Sequence, residues 1–245
     1  MTYTLVTGAS GGIGQAVARL AAREGQEPLC VGRSAERLQQ ALPDYRHFEA
    51  DLTKEPQIRA LFERLEAEER VPQTLVHCVG STLIAPLERV TFLQYAETMA
   101  TNLSSAIGTC QQFISLLKRR RLPGSIVLFS SVVSRIGVSN HEIIAAAKAG
   151  LEGFALSAAA SHAALGIRIN VIAPGLTETP LTRPLLSSEA GRNAAIKQYP
   201  LAGLNSADDV AELACWLGSA KAARITGQVI AVDGGFSRIR PLVRA

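Results

Sequence analysis

The sequence predicts a single α/β domain in which a parallel sheet is covered by helices on both faces. Short apolar runs rich in β-branched residues alternate with longer segments of helical period almost to the end of the chain. Hydrophobic residues make up 47% of the 245 residues but aromatic residues only 5%, so the core must consist mainly of Ala, Val, Leu and Ile. Such side chains suit the packing of helices on a buried parallel sheet, which favours α/β over an aromatic-rich β-sandwich.

Seven strands and five helices are expected. The strands are predicted at residues 3–6, 28–31, 45–49, 74–78, 125–130, 168–172 and 228–232. The helices are predicted at residues 12–24, 55–69, 92–118, 142–165 and 206–218. Right-handed crossovers between parallel strands then give a doubly wound sheet. No repeat or Pro/Gly/Ser-rich linker divides the chain, so one domain is predicted over residues 1–245.

Residues 176–200 differ in composition from these elements, because prolines are scattered among leucines and polar residues. A connection of this length is too long for an ordinary loop and is predicted to be a substrate lid. Its leucines suggest an apolar or acyl substrate; they are Leu176, Leu181, Leu185 and Leu186. Arg183 could meet a carboxylate or phosphate, although a surface arginine is the commoner case.

Composition excludes several classes of protein. The formal net charge of +4 is too small to indicate a nucleic-acid partner, and the run at 118–121 fits cations at a helix C-terminus better than a phosphate patch. The four cysteines are scattered without a C-x-x-C motif, as in a reducing compartment. No uninterrupted apolar run approaches membrane length and the first residues enter a strand directly, so no membrane partner and a cytoplasmic location are expected.

The segments at 102–113 and 145–164 have few charges on any helical face. A helix that is apolar nearly all round must be buried on two sides. Either the monomer core is thick, or these helices form a subunit interface; the second is favoured, and a homodimer or homotetramer is expected.

Glycines follow the first predicted strand directly and open the first helix. Gly8, Gly12 and Gly14, with Ile13 between the last two, permit a tight turn, a close approach of backbone N–H groups to a diphosphate, and close helix–sheet contact. Their position between strand and helix predicts a Rossmann-type dinucleotide site.

The charge at the end of the second strand predicts which dinucleotide binds. A carboxylate there would accept hydrogen bonds from the ribose 2′-hydroxyl, whereas an arginine pairs with a 2′-phosphate. The strand ends at Arg33 without a carboxylate, and Ser10 in the glycine loop could add a hydroxyl. NADP(H) is therefore predicted over NAD(H), unless Arg33 is simply a solvated cation.

The G-x-x-x-G-x-G spacing resembles the short-chain dehydrogenase/reductase family, and further motifs follow in the family's order over the whole chain. The resemblance implies a small-molecule substrate, an adenine contact at Asp51-Leu52, and a catalytic serine and lysine. The remaining matching positions are Gly80, Asn102, Ser131, Lys148, Pro174-Gly175, Thr179, Thr226-Gly227 and Val232-Asp233-Gly234-Gly235. Lys148 would bind the nicotinamide ribose, and Asn102 would support the proton relay.

One position departs from the family. The resemblance places a proton-transferring tyrosine four residues before Lys148, where this sequence has Ile144. General acid–base groups contribute roughly 10² to 10⁴ in rate, so the ordinary ketone mechanism lacks its acid, and the loss is expected to be severe but need not abolish hydride transfer.

Three interpretations stay open. His141 or Glu142 could replace the phenol, or Asn140 could merely cap a helix that begins there. The chain could instead be a catalytically silent NADP(H)-binding subunit that stabilises an active paralogue in a hetero-oligomer. A third possibility is reduction of a conjugated C=C bond, which demands less of an acid. Tyr199, which closes the predicted lid, is expected to be a packing residue.

Overall fold

A computed structural model of the chain describes residues 2–240; residue 1 and residues 241–245 of the predicted domain lie outside the described residues. A parallel sheet of seven strands forms the centre, in the order β3-β2-β1-β4-β5-β6-β7. The strands are β1 Tyr3–Thr7, β2 Glu27–Gly32, β3 Arg46–Glu49, β4 Thr74–His77, β5 Gly124–Phe129, β6 Ile167–Pro174 and β7 Val229–Val232. The predicted doubly wound α/β class is confirmed, and each predicted strand lies within two residues of an observed one.

The α-helices of the described chain number eight. They are α1 Gly12–Arg23, α2 Ala35–Ala41, α3 Glu55–Ala67, α4 Phe92–Met99, α5 Ser105–Arg120, α6 Glu142–His162, α7 Glu189–Ile196 and α8 Ala207–Gly218. Two of them, α2 and α7, were not predicted. The predicted continuous helix at 92–118 is wrong in its middle, where the π-helical turn Ala100–Ser104 separates α4 from α5.

Two hydrophobic layers enclose the sheet. Side chains of α3, α5 and α6 pack on one face, with Phe62 and Phe113 fully buried among them. On the other face α1 and α8 pack together over β1, β4 and β5. The order of strands reverses between β1 and β4, so the connections that leave these two strands diverge and open a crevice at their carboxyl ends.

The face of α6 that does not contact the sheet is unusually apolar. Residues Glu142–Leu165 are long and apolar enough, by length and composition, to cross a membrane, with a mean hydropathy of 1.4, although Lys148 and Glu152 interrupt the apolar run. However, Lys148 is buried on the side of α6 that faces the protein. The helix packs along β6, as the core helix of a globular protein does.

Candidate active site

The crevice at the carboxyl ends of the strands contains a cavity of about 540 Å³. Segment 176–200 covers it, and its wall is mainly aliphatic. It brings together most of the residues singled out in the sequence: Ile13, Gly80, Ser131, His141, Ile144, Lys148, Pro174, Gly175 and Thr179. Arg183 does not line this cavity and is exposed, so the possible carboxylate or phosphate contact is not supported.

Lys148 is the buried cation of the cavity. Only 6% of the residue is exposed, and its Nζ donates a hydrogen bond to the Phe129 carbonyl at 2.8 Å. Burial lowers the pKa of Lys148 to about 8. A Cβ at Gly80 would lie 3.6 Å from Nζ and 3.3 Å from Asn102 Oδ1, so a side chain there would crowd the space between these two groups.

Asn102 lies behind the cavity and explains the π-helical turn. Its Nδ2 donates to the Thr98 carbonyl at 3.0 Å and to Ser81 Oγ at 2.9 Å, while its Oδ1 accepts from the Ser81 amide at 3.1 Å. The two bonds with Ser81 tie the helix to the loop that follows β4, and the bond to the Thr98 carbonyl lies within the helix. Single π turns inside α-helices are frequent at functional sites.

Ser131 follows β5 and precedes a short 3₁₀ turn, Val132–Ser134. Its Oγ accepts a long hydrogen bond of 3.4 Å from the Val133 amide. Because that bond uses a lone pair of the oxygen, the hydroxyl proton stays available for an oxygen atom in the cavity.

His141 lies across the cavity at the start of α6. Its Nδ1 is 2.7 Å from the Ser139 carbonyl, and because a carbonyl only accepts, Nδ1 must carry the proton. Nε2 is then the atom free to act on a substrate. The capping hypothesis for Asn140 is wrong: His141 is the N-cap residue, no side chain caps the helix, and Asn140 adopts a left-handed φ of 62°.

Ile144 lies one helical turn before Lys148. It is only 4% exposed and contributes to the cavity wall. An aliphatic side chain therefore lies on the same helix face as the lysine, where it can exclude water but cannot exchange a proton.

A second, narrower cavity of about 160 Å³ adjoins the first, and both are lined by Cys78, Val79 and Gly80. It is lined by further predicted cofactor contacts and by Arg37, which was not predicted, whereas Gly12 and Gly14 line neither cavity. Its lining includes Gly8, Ser10, Arg33, Arg37, Asp51 and Leu52.

Two arginines stand at this second cavity. Ser34 caps α2 by accepting from the Arg37 amide at 3.2 Å, which fixes the start of the helix directly after Arg33. Burial alone would raise the pKa of Asp51, but hydrogen bonds from the amide and hydroxyl of Thr53, together with the charge of Arg33, lower it. Both arginines thus line the same cavity as an ionised carboxylate, and the charge of Arg33 acts on it.

The glycine loop fits the close approach of a diphosphate. Gly8 has a φ of +65°, and a Cβ there would lie 2.8 Å from the Cys78 backbone. At Gly14 a Cβ would lie 2.4 Å from the Gly8 carbonyl, and at Gly12 it would lie 2.8 Å from Thr179 Cγ2. The loop, strand β4 and the start of segment 176–200 therefore meet so closely that side chains are excluded. The residues present fit a nicotinamide dinucleotide spanning the two cavities.

Tyr199 and Phe236 form an aromatic wall that the sequence did not predict as a pair. Their rings stack with centroids 5.1 Å apart, and Tyr199 Oη accepts a hydrogen bond from the Leu176 amide at 2.6 Å. Burial raises the pKa of Tyr199, so its phenol stays neutral at physiological pH. Packing, as expected, accounts for most of its contacts, although it also lines the cavity.

His77 is a buried histidine behind this site. Its Nε2 is 3.2 Å from Ser105 Oγ, whose own proton is donated to the Thr101 carbonyl at 2.6 Å. Nε2 must therefore be the protonated nitrogen, while Nδ1 accepts from Thr7 Oγ1 at 2.9 Å. Burial, and secondarily the charge of Lys148, lowers the pKa of His77 from the ordinary 6.5 to about 3.

Acidification is expected to destabilise the fold through His77. As the pH falls below 6.5, the histidine of the unfolded chain binds a proton while His77 of the folded chain stays neutral. The free energy of unfolding therefore keeps its full value above pH 6.5 and falls by about 1.4 kcal/mol per pH unit towards pH 3. Urea unfolding at pH 8 and pH 5 should therefore show about 2 kcal/mol of pH-dependent loss that the His77→Asn variant lacks. Equal pH dependence in the two proteins would contradict this assignment.

A dinucleotide groove that opens into a substrate-sized cavity is the arrangement of a Rossmann-fold oxidoreductase. The chain matches the family model described as enoyl-(acyl carrier protein) reductase over residues 8–237. It is 35% identical over 237 residues to 3-oxoacyl-(acyl-carrier-protein) reductase FabG of Escherichia coli, which covers 95% of this chain and 96% of that protein. It belongs to the short-chain dehydrogenase/reductase family.

Other relatives agree with this membership. Cis-4-hydroxycyclohexanecarboxylate dehydrogenase of Sinomonas cyclohexanicum is 33% identical over 242 residues, with 96% of each chain covered. The structure of a short-chain type dehydrogenase/reductase from Mycobacterium ulcerans superposes with a TM-score of 0.91 at 27% identity, and covers 96% of this chain and 90% of that one. The chain is accordingly an oxidoreductase, as predicted.

Proposed function

We propose that this protein is an NADP(H)-dependent oxidoreductase that reduces a carbonyl or enone group of a largely apolar compound, or oxidises the corresponding alcohol. The observation that carries the proposal is the adjacency of the two cavities. One holds Arg33 and Arg37 at its adenosine end, and the other brings Ser131, His141 and Lys148 around an aliphatic chamber.

Each residue has a separate task in this proposal. The bound cofactor supplies or accepts a hydride. Lys148 binds the nicotinamide ribose and Asn102 holds the π turn behind it, as the family resemblance implies. The Ser131 hydroxyl donates a hydrogen bond to the substrate oxygen and stabilises the negative charge that develops there.

His141 is proposed to exchange the proton that Ile144 cannot. Since Nδ1 is occupied by the Ser139 carbonyl, Nε2 alone can reach the cavity. A protonated ring donates from Nε2 to a carbonyl oxygen during reduction, and a neutral ring accepts a proton there during alcohol oxidation.

The lining of the larger cavity supports an uncharged substrate. It is mainly aliphatic and aromatic. Of its ionisable side chains, Lys148 is proposed to bind the cofactor and His141 to exchange a proton, so neither is left to pair with a charged substrate. Segment 176–200 is proposed to act as the lid of the single domain: α7 and the leucines Leu181 and Leu185 lie in it, and the leucines are about half exposed. An apolar substrate would cover these leucines.

The exposed faces of α4 and α6 support self-association. Phe92 is 81% exposed, Leu93 66% and Leu156 62%. Helices α4 and α6 are in contact, and exposed apolar side chains that neighbour one another favour a protein–protein interface. We propose a homo-oligomer in the cytoplasm, without a nucleic-acid or membrane partner.

A screen of NADPH oxidation tests the function. Ketones, acyl thioesters and enones are offered to the wild type and to His141→Ala, which is expected to lose about 10² in kcat for carbonyl reduction. His141→Gln is the matched control because it keeps a polar side chain of similar length, and it should be equally slow because an amide cannot exchange the proton. Enone turnover that does not depend on His141 would indicate reduction of a conjugated C=C bond. A wild type that turns over none of the compounds would contradict the proposal.

A further inference from the structure

A partly buried carboxylate that the proposed reaction does not use lies one turn beyond Lys148 on α6. The Glu152 side chain is only 13% exposed. Its Oε1 accepts from Ser130 Oγ at 2.6 Å and lies 2.7 Å from Ser134 Oγ. Its Oε2 accepts from Arg135 Nε at 2.8 Å. Both carboxylate oxygens are thus directed at the segment that leaves β5.

The two serines bracket Ser131 on either side. Ser134 Oγ is also 2.6 Å from the Ser131 carbonyl, so its single proton is shared between that carbonyl and Glu152. The Ser134 amide donates to the same carbonyl at 3.1 Å. Hydrogen bonds to an ionised carboxylate are shorter and stronger than neutral ones. One carboxylate therefore fastens both ends of the turn that carries Ser131 to the helix that carries Lys148.

We propose that Glu152 is a positioning residue that sets the place of the Ser131 hydroxyl relative to Lys148. The inference rests on the proposed function, because it concerns the hydroxyl that stabilises charge on the substrate oxygen. With an aliphatic side chain at Ile144, the position of that hydroxyl matters more. A misplacement of about 1 Å at a reacting centre can cost roughly 10² in rate.

Kinetics of Glu152→Ala test the proposal on a substrate that the wild type reduces. The expected kcat/KM is lower by about 10- to 100-fold, while the Kd for NADPH changes less than about twofold because Lys148 keeps its bond to Phe129. Glu152→Gln retains an acceptor oxygen on the same stem and should recover most of the loss. Arg135→Ala, which leaves both serine contacts intact, is the matched control and should change kcat/KM less than about threefold.

A double-mutant cycle separates positioning from general damage. In a Ser131→Ala background there is no hydroxyl to place, so adding Glu152→Ala should lower kcat/KM no further. An undiminished drop in that background would overturn the proposal. Should Glu152→Ala fail to fold, Ser134→Ala removes the shared hydroxyl alone and takes its place in the cycle.

Amide hydrogen exchange gives a readout that needs no substrate. Residues 131–134 should exchange at least about tenfold faster in Glu152→Ala than in the wild type, because the turn loses the bonds that fasten it. Unchanged exchange would overturn the positioning role whether or not a substrate is known. Faster exchange together with a wild type that reduces nothing would contradict the proposed function but still show that Glu152 holds the turn that carries Ser131.

Discussion

Replacing Ile144 by tyrosine is expected to raise the kcat for ketone reduction by up to about 10², because a general acid contributes at most roughly 10⁴ and His141 is proposed to supply about 10² of that already. Ile144 lies on the cavity wall, and the side chain four residues later on the same helix face is Lys148. A phenol on the Ile144 Cα would enter the cavity beside the lysine ammonium. Attraction between that ammonium and a phenolate would lower the pKa of the new side chain and make it a proton donor near neutral pH.

The matched control for this variant is Ile144→Phe. Phenylalanine fills the same space with a ring but has no hydroxyl, so it reports the cost of overpacking alone, about 1–3 kcal/mol in stability. The activity gain is measured as the Tyr-to-Phe ratio of kcat with one ketone. A ratio near one would contradict the assignment of position 144, and a wild type that is inert while Ile144→Tyr turns over would favour the silent-subunit alternative.

The strand ends could be predicted because they depend on local pattern. Each strand is a short apolar run, and parallel strands bring their carboxyl ends to one edge, which is why residues as far apart in sequence as Gly8, Ser131 and Gly175 could be assigned to one crevice. The π-helical turn could not be predicted in this way. It depends on the bonds between Asn102 and Ser81, two residues in different elements, and residues 92–118 contain no proline that would break a helix.

Two residues of the site, Arg37 and Glu152, were not predicted from the sequence for related reasons. Helix α2 has only seven residues, too few to show a helical period, so its start after Arg33 was not predicted and Arg37, in its first turn, was not recognised as a neighbour of the cavity. From the sequence, Glu152 is expected to be an exposed charge on an apolar helix. Its burial depends on a turn that follows another strand, and only the folded chain brings Ser130 and Ser134 to it.

Reversing the charge of Arg33 is expected to exchange the cofactor preference. A charge-assisted hydrogen bond to a phosphate contributes about 1.5–3 kcal/mol, so Arg33→Asp should weaken NADPH binding by about 10²-fold. The new carboxylate can accept from a ribose 2′-hydroxyl, and NADH binding should tighten by about tenfold. Fluorescence titration with both cofactors measures the two effects, and Arg37→Ala should weaken NADPH alone.

Arg59→Asp provides the control for net charge. Arg59 is exposed on α3, pairs with Glu55, and does not line the adenosine cavity, so the same change of two charges there should leave both affinities within about twofold. The loss at Arg33 should also shrink as salt rises, because screening weakens the phosphate contact in the wild type first. Equal affinities for NADPH and NADH in the wild type and in Arg33→Asp would show that the arginine is only a solvated surface cation. The ratio of the NADPH affinity to the NADH affinity should instead differ by about three orders of magnitude between the wild type and Arg33→Asp. The loss of the phosphate contact acts on NADPH and the gain of the hydroxyl contact acts on NADH, so the two effects multiply in this ratio.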